Sequence, residues 1–314
     1  MRRNILQLFN SAKELNNWRK LCSNWFEVMG IYILSEWIKP IRNQTIHIYL
    51  DNGVSLDTKG SRQAINPVIE IFRDIYHLTS CPIWRLYEIH TVIDLGAHVG
   101  SFSVRMALEK QPWTMIALEP DPAAYDLLQR NLSSVATSST TIRCVRAAIG
   151  PMTTLGWYSS SGNADWGGHI VNEPEVLSAK NQMVQILSLA DVLGSCEDTA
   201  GVLLKMDVEG SEYETLYQSP ISDLHKVAVL VLEYHPSEIA RHNFEALNDF
   251  LHNAGFALVW RDNGTTQGNA CYARPLAQLM TVNRTKAHEP QPGPPAPKSS
   301  GGSKQCVDTP QQAE

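Results

Sequence analysis

The sequence predicts an α/β fold: a seven-stranded sheet, mostly parallel with one antiparallel strand, entered through a helical and hairpin amino-terminal cap. Three observations carry this. Residues 91–100 (Thr-Val-Ile-Asp-Leu-Gly-Ala-His-Val-Gly) form a short apolar run, a glycine-bearing turn and the start of a helix. That arrangement opens a crevice at the carboxyl ends of parallel strands. Apolar runs then alternate with helix-periodic segments as far as Leu251, the pattern of successive strand–helix units. Last, two terminal runs flank Asp262-Asn263-Gly264, a hairpin signal that supplies the reversed strand.

Taken in order, residues 1–40 show helical spacing, with Leu6, Phe9, Leu15, Trp18, Trp25 and Met29 available for an inner face. Residues 46–50 and 54–57 predict a hairpin around Asp51-Asn52-Gly53. A helix is expected from Asn66, carrying Val68, Ile69, Ile71 and Ile75 and closing near Tyr76-His77. After the strand at Val92-Ile93 and a helix from Ser101, a second strand covers residues 115–118. Asp121 and Pro122 then suit the N-cap and first position of a helix that faces the sheet through Leu127, Leu128 and Leu132. A third strand is expected over residues 141–149. Residues 156–183, rich in Gly, Ser, Asn and Trp, read as a long functional loop, followed by a short strand at 185–189 and a helical turn at 189–193. Residues 202–207 give a fourth core strand, with Ser211 and Glu214 spaced as a capping box for the next helix. Residues 227–232 give a fifth strand, and a helix carries Ile239, Phe244, Leu247 and Leu251. The division expected is a cap at 1–88, a core at 89–283 and a disordered Pro/Gly/Ser-rich tail at 284–314.

The 314 residues are 43% hydrophobic and 18% charged, enough for a sizeable core, and the net charge of -6 argues against a general nucleic-acid binder. Six cysteines are scattered without a C-x-x-C pair, which points to reduced thiols rather than a disulfide or zinc framework. The amino terminus lacks the apolar core and cleavage site of a secretion signal. Glu27, Ser35 and Glu36 interrupt the apolar stretch at 25–38, so no membrane span is expected. The expectation is a soluble cytoplasmic protein.

Four predicted strand ends carry polar groups: Asp94, Glu119, Asp207, and Glu233 with His235. In an open parallel sheet these ends converge. Gly96 and Gly100 let the backbone approach a ligand, and Asp94 can accept hydrogen bonds from it. Glu119 is placed to bind the two hydroxyls of a ribose. A dinucleotide fingerprint requires a second glycine where His98 stands, so a nucleoside lacking a diphosphate fits better, and S-adenosylmethionine is such a ligand. Lys205, Asp207 and Glu209 alternate onto one face of their strand, a charge cluster that is costly at a buried strand end unless paired or functional. Asp207 is the first candidate for a general base and His235 the second, with Lys205 or Glu209 positioning the acceptor. The segment at 156–170, with Trp157 and Trp166, is a candidate acceptor wall. A metal site from Asp207, Glu209 and His235 has no ligand spacing behind it, and no metal is expected.

The motifs Asp94-Leu-Gly-Ala-His-Val-Gly100, Glu119-Pro-Asp-Pro122, Ala148-Ile-Gly150, Leu189-Ala-Asp191 and, above all, Leu204-Lys-Met-Asp-Val-Glu-Gly-Ser-Glu212 resemble the FkbM family of S-adenosylmethionine-dependent methyltransferases, in the same order and spacing. The resemblance spans roughly residues 45–275 and implies a class I methyltransferase, Rossmann-like fold. It implies O-methylation of a hydroxyl on a sugar, glycan or secondary metabolite, with N-methylation, a protein or lipid acceptor, or a non-catalytic binding domain as alternatives. The implied cofactor contacts lie at Asp94, Gly96, Ala97, His98, Gly100, Glu119, Pro120 and Ala148. Ala190 stands where the family often has an acidic residue, which weakens any role for Asp191.

Overall fold

The computed structural model describes residues 19–78, 86–160, 164–165, 167–171, 180–196, 201–262 and 267–276. The expected tail at 284–314, and Leu6, Phe9, Leu15, Trp18 and Trp166, lie outside the described residues.

Seven strands form the main sheet: β3 (Thr91–Leu95), β4 (Thr114–Leu118), β5 (Thr141–Val145), β10 (Val202–Met206), β11 (Val227–Tyr234), β12 (Ala257–Arg261) and β13 (Gly268–Ala273). Their order is β12-β13-β11-β10-β3-β4-β5. Only β13 runs against its neighbours, pairing antiparallel with both β11 and β12. All of β3 and β10 is buried, because helices cover both faces of the parallel part. The order reverses between β3 and β10, and a crevice opens where chains leave those strands in opposite directions.

The amino-terminal elements are α1 (Trp25–Leu34), α2 (Lys39–Asn43), β1 (Thr45–Tyr49), β2 (Ser55–Lys59) and α3 (Arg62–Phe72). The strands β1 and β2 pair antiparallel through the expected turn, with Gly53 at φ +85°. Asn131 clips this hairpin to the core: its Nδ2 donates to Asp57 O at 2.8 Å and Val99 O at 2.7 Å, and its Oδ1 accepts from Asp57 N. The helix expected from Asn66 starts earlier, at Arg62, where the Ser61 hydroxyl accepts from Ala64 N. Pro67, which usually marks a first turn, here sits inside the helix. Arg105 fixes the end of α3, donating to Ile71 O at 2.6 Å and pairing with Asp74 at 2.9 Å.

On the core side α4 (Ser101–Lys110) follows β3, and α5 (Pro122–Val135) follows β4, capped by Asp121 at Ala123 N and Ala124 N. Two expectations need correction. The third strand does not run to Ile149. Ala147 N returns to Val145 O at 3.0 Å, a three-residue turn that ends β5 and sends β6 (Ala148–Gly150) into another sheet. And the segment read as a long loop holds strands β7 (Thr154–Ser159), β8 (His169–Val171) and β9 (Asn181–Ser188), giving a four-stranded sheet of order β6-β9-β7-β8.

The remaining helices are α6 (Leu189–Gly194), α7 (Glu212–Tyr217), α8 (Ile221–Leu224) and α9 (Phe244–Asn253). The capping box at Ser211 and Glu214 is not formed. Ser211 makes no side-chain cap, and Glu214 is drawn away by Arg241 at 2.6 Å and His242 at 2.9 Å. Ile239 precedes α9 and is exposed rather than facing the sheet. Cys22, Cys196 and Cys271 are buried and Cys144 is half-buried. Among the described residues, no helix is long and apolar enough to cross a membrane.

Candidate active site

The turn after β3 is held down from both sides. Gly96 N and Ala97 N donate to Leu118 O of the neighbouring strand, at 3.1 and 2.8 Å. Gly96 has φ +73°, and a Cβ there would collide with the Asp207 carbonyl oxygen at the end of β10. Only glycine fits so close to another backbone. Gly100, at φ +86°, opens α4, where a Cβ would meet Leu128 Cδ1 at 2.7 Å.

Beneath the turn lies Lys205, 4% exposed. Its ammonium donates to Gly96 O at 2.6 Å and stands 3.3 Å from Asp94 Oδ1 and 3.7 Å from Asp207 Oδ2. Burial works against its charge, but Asp94 and Asp207 outweigh that and raise its pKa. A lysine held cationic in this way is a strut and an electrostatic partner, not a base. Asp94 is completely buried; its Oδ2 accepts from Ser103 Oγ at 2.7 Å. Its Oδ1 has only the ammonium opposite it, at an angle too poor for a hydrogen bond. Asp94 thus reaches the crevice only through Lys205 and the turn.

Two cavities open on this edge. The larger, about 640 Å³, lies over the ends of β3 and β4 and is bounded by Glu119, Pro120, Ala148, Tyr158, Gly168 and Asp207, among others. The smaller, about 410 Å³, lies under α3 and is bounded by Glu70, Tyr76, Phe102, Lys205, Asp207 and Glu233, with Ala97. Gly96, His98 and Asp207 line both, so the cavities meet at these residues.

Glu119 is 5% exposed. Its Oε2 accepts from His98 N at 2.7 Å and its Oε1 from Asp121 N at 2.8 Å. Burial nonetheless pushes its pKa up to about 7, against the lowering effect of these two bonds. His98 takes φ +52° to present that N–H, and its ring Nε2 lies 2.6 Å from Ala164 O. As Nε2–H donates there, Nδ1 is left buried without a partner, and burial lowers the ring's pKa. The smaller sheet supplies the far wall: Tyr158, 6% exposed, faces Gly168, where a Cβ would meet the tyrosine ring at 2.6 Å.

The opposite end of the edge is acidic. His235 Nδ1 lies 2.9 Å from Glu212 Oε1, and its Nε2 lies 3.7 Å from both Glu209 and Glu233. Glu212 is fully buried and accepts from Val208 N and Gly210 N. For His235, burial opposes charging, but Glu212, Glu233 and Glu209 outweigh it and raise the pKa. Burial, Asp207 and Glu209 raise that of Glu233. Glu209 sits at φ +52°, turned out at the strand end.

The structure therefore brings Gly96, Ala97, His98, Glu119, Pro120, Ala148, Lys205, Asp207 and Glu209 onto the two cavities, with His235 behind the acidic end. Asp94 and Gly100 support the turn from outside them. Asp191 lies elsewhere, in the first turn of α6, where its carboxylate accepts from the Thr153 and Ser188 hydroxyls. Trp157, expected on the acceptor wall, borders neither cavity. Sequence reasoning missed Glu70, Tyr76, Tyr158 and the role of Glu212. Glu212 stood inside the Lys205–Glu212 motif and was legible there; the others sit on elements whose placement no local pattern encodes.

A family model described as the Methyltransferase FkbM domain matches residues 94–258, more than half of the chain. The chain belongs to the FkbM methyltransferase family. No curated protein matches it. Among solved structures, TYW2 from M. jannaschii in complex with AdoMet is 13% identical, covering 74% of this chain and 87% of that one at a TM-score of 0.37. Magnesium protoporphyrin IX methyltransferase (ChlM) from Synechocystis PCC 6803 with bound SAM is 12% identical, covering 67% and 81%, at a TM-score of 0.35. The strand order and the single reversed strand make the core of this FkbM chain a class I methyltransferase fold. Its residues fit an adenosyl sulfonium. Glu119 is a buried carboxyl group on the larger cavity, and the Gly96–His98 turn lines the meeting of the two cavities. The surplus of carboxylates at the junction suits a cation.

Proposed function

We propose that this FkbM chain is an S-adenosylmethionine-dependent O-methyltransferase acting on a hydroxyl of a sugar, glycan or other small hydroxylated metabolite. The observation that carries the reading is the meeting of the two cavities at Gly96, His98 and Asp207. Glu119 would hold the ribose in the larger cavity, with Pro120 and Ala148 beside the base. The Gly96–Ala97–His98 turn would hold the amino-acid portion. The bound cofactor supplies an activated methyl group, so the protein's task is alignment, water exclusion and removal of one proton.

The acceptor oxygen approaches from the smaller cavity, beneath Glu70 and Tyr76. With the cofactor bound to supply the methyl group, the Asp207 carboxylate, which lines both cavities, would take the proton of the acceptor hydroxyl. Asp207 is the better base, because the carboxylates around His235 hold the imidazole protonated and so deprive it of the lone pair a base needs. Lys205 keeps Asp207 oriented from 3.7 Å. Calorimetry with S-adenosylmethionine and S-adenosylhomocysteine, followed by a methyl-transfer screen over glycans and hydroxylated metabolites, tests the reading. Binding with transfer to oxygen supports it; no binding at millimolar nucleoside rejects it.

The acidic wall of Glu70, Asp207 and Glu233 favours one second reading, N-methylation of a cationic amine. The atom methylated in the product decides between them.

A further inference from the structure

We propose that Asp207, Glu233 and His235 form a binding site for a divalent transition-metal ion at the acidic end of the crevice. The proposal deepens the methyltransferase reading, since the ion would sit where the acceptor is methylated. Binding of the ion itself does not depend on that reading.

The three residues come from two neighbouring strands: Asp207 follows β10, while Glu233 ends β11 and His235 follows it. One ligand atom from each lies within 4.8 Å of the other two. Bonds of about 2.0–2.2 Å to such an ion place ligand atoms roughly 3–4 Å apart, so small side-chain shifts close the site. From the sequence, Asp207 and His235 can be weighed as ligands but lack ligand spacing, because the spacing here is set by strand pairing and not by a motif.

The imidazole is oriented for ligation, the ion displacing the Nε2 proton that the neighbouring carboxylates otherwise hold there. Glu212, buried and anchored by Val208 N and Gly210 N, is an acceptor that takes the Nδ1 proton at 2.9 Å. Nε2 is then turned toward Glu233 and Glu209, each 3.7 Å away and beyond hydrogen-bond reach. A carboxylate holding the far nitrogen of a histidine is the usual outer support of a metal-bound imidazole. Mixed carboxylate and imidazole donors suit Mn²⁺ or Zn²⁺ better than Ca²⁺.

An independent observation lies across the cavity. Tyr76 is 3% exposed and borders the cavity that Asp207 and Glu233 line. A hydroxyl on that wall would be in place to bond water carried by the ion. Glu70, Asp207, Glu209 and Glu233 gather at this end, and the nearby Lys205 bonds to Gly96 O and pairs with both Asp94 and Asp207.

The test uses the full chain freed of metal by chelation. Mn²⁺ is titrated with the free-ion signal followed by electron paramagnetic resonance, and Zn²⁺ serves as competitor. One equivalent is expected to bind, Zn²⁺ is expected to displace it, and E233Q and H235N are expected to weaken binding at least tenfold. E212Q should weaken it by about tenfold as well, the effect of losing an outer partner. Should a variant fail to fold, the wild-type imidazole resonances decide: substoichiometric Mn²⁺ must broaden His235 before the other histidines. No stoichiometric binding, binding unchanged in E233Q and H235N, or a His235 resonance that stays sharp would each overturn the proposal. S-adenosylhomocysteine binding is measured in parallel, so loss of nucleoside binding with ion binding intact would reject the methyltransferase reading alone.

Discussion

The two ends of the strand-end crevice use the same chemical group in opposite ways. Over β4, one carboxylate, Glu119, is buried with a backbone N–H on each oxygen. Over β10 and β11, Asp207, Glu209, Glu212 and Glu233 crowd around one histidine and one lysine. A single carboxylate fixed by backbone N–H groups is a hydrogen-bond acceptor for hydroxyls. A crowded set with surplus negative charge takes protons or cations. The first end reads as a holder and the second as the place where chemistry occurs, and each prediction below separates the two.

The largest effect is expected at the second end. Asp207→Asn should lower methyl-transfer turnover by about 10²–10⁴, the range of a positioned base, while S-adenosylhomocysteine affinity stays within about twofold. Single-turnover kinetics beside calorimetry would show the split; a loss of affinity matching the loss of rate would move Asp207 into the holder.

At the first end, Glu119→Ala should weaken nucleoside binding by roughly a hundredfold, through lost charge-assisted hydrogen bonds and two stranded N–H groups. Calorimetry checks it, and Kd within threefold of wild type would remove the ribose from Glu119. At the hinge between the ends, Gly96→Ala should destabilise the fold by about 3 kcal/mol, because the new Cβ meets the Asp207 carbonyl in a left-handed conformation. Denaturant unfolding measures this, and an unchanged midpoint would contradict it.

The smallest effect is the most selective. Glu119 has its pKa raised by burial from 4.5 to about 7. Its contribution to stability is therefore present in full below the lower value and is lost as pH rises through about 7. Nucleoside affinity moves the other way, because hydroxyls donate best to the ionised form: it should rise about tenfold from pH 6 to 8. Glu119→Gln should flatten that profile, and a slope that persists in the variant would assign it to another group.

The contrast also explains what could be read from residues alone. The central strands were legible because β3, β10 and β11 are buried on both faces and so appear as mainly apolar runs, with Asp94, Lys205 and Glu233 near their ends. Asp94, Glu119 and Asp207 were legible because strand ends in a parallel sheet point one way. The smaller sheet was not. Its β6 is three residues long, β7 is half exposed, and among the described residues its hydrophobic core cluster is Ala148, Tyr158, Val184 and Ile186. A sheet whose register depends on distant pairing leaves no local period. The capping box at Ser211 failed for a related reason, since Glu214 found Arg241 and His242, which arrive from beyond β11. Tyr76 and Glu70 reach the site only because Arg105 pins α3 over it, a tertiary contact no spacing announces.

The most direct test of the central claim is a calorimetric titration of the purified full chain with S-adenosylhomocysteine at pH 8. The account predicts one saturating site per chain, weakened by Glu119→Ala and left intact by Asp207→Asn. No heat and no saturation at millimolar nucleoside, or binding indifferent to Glu119, would contradict it.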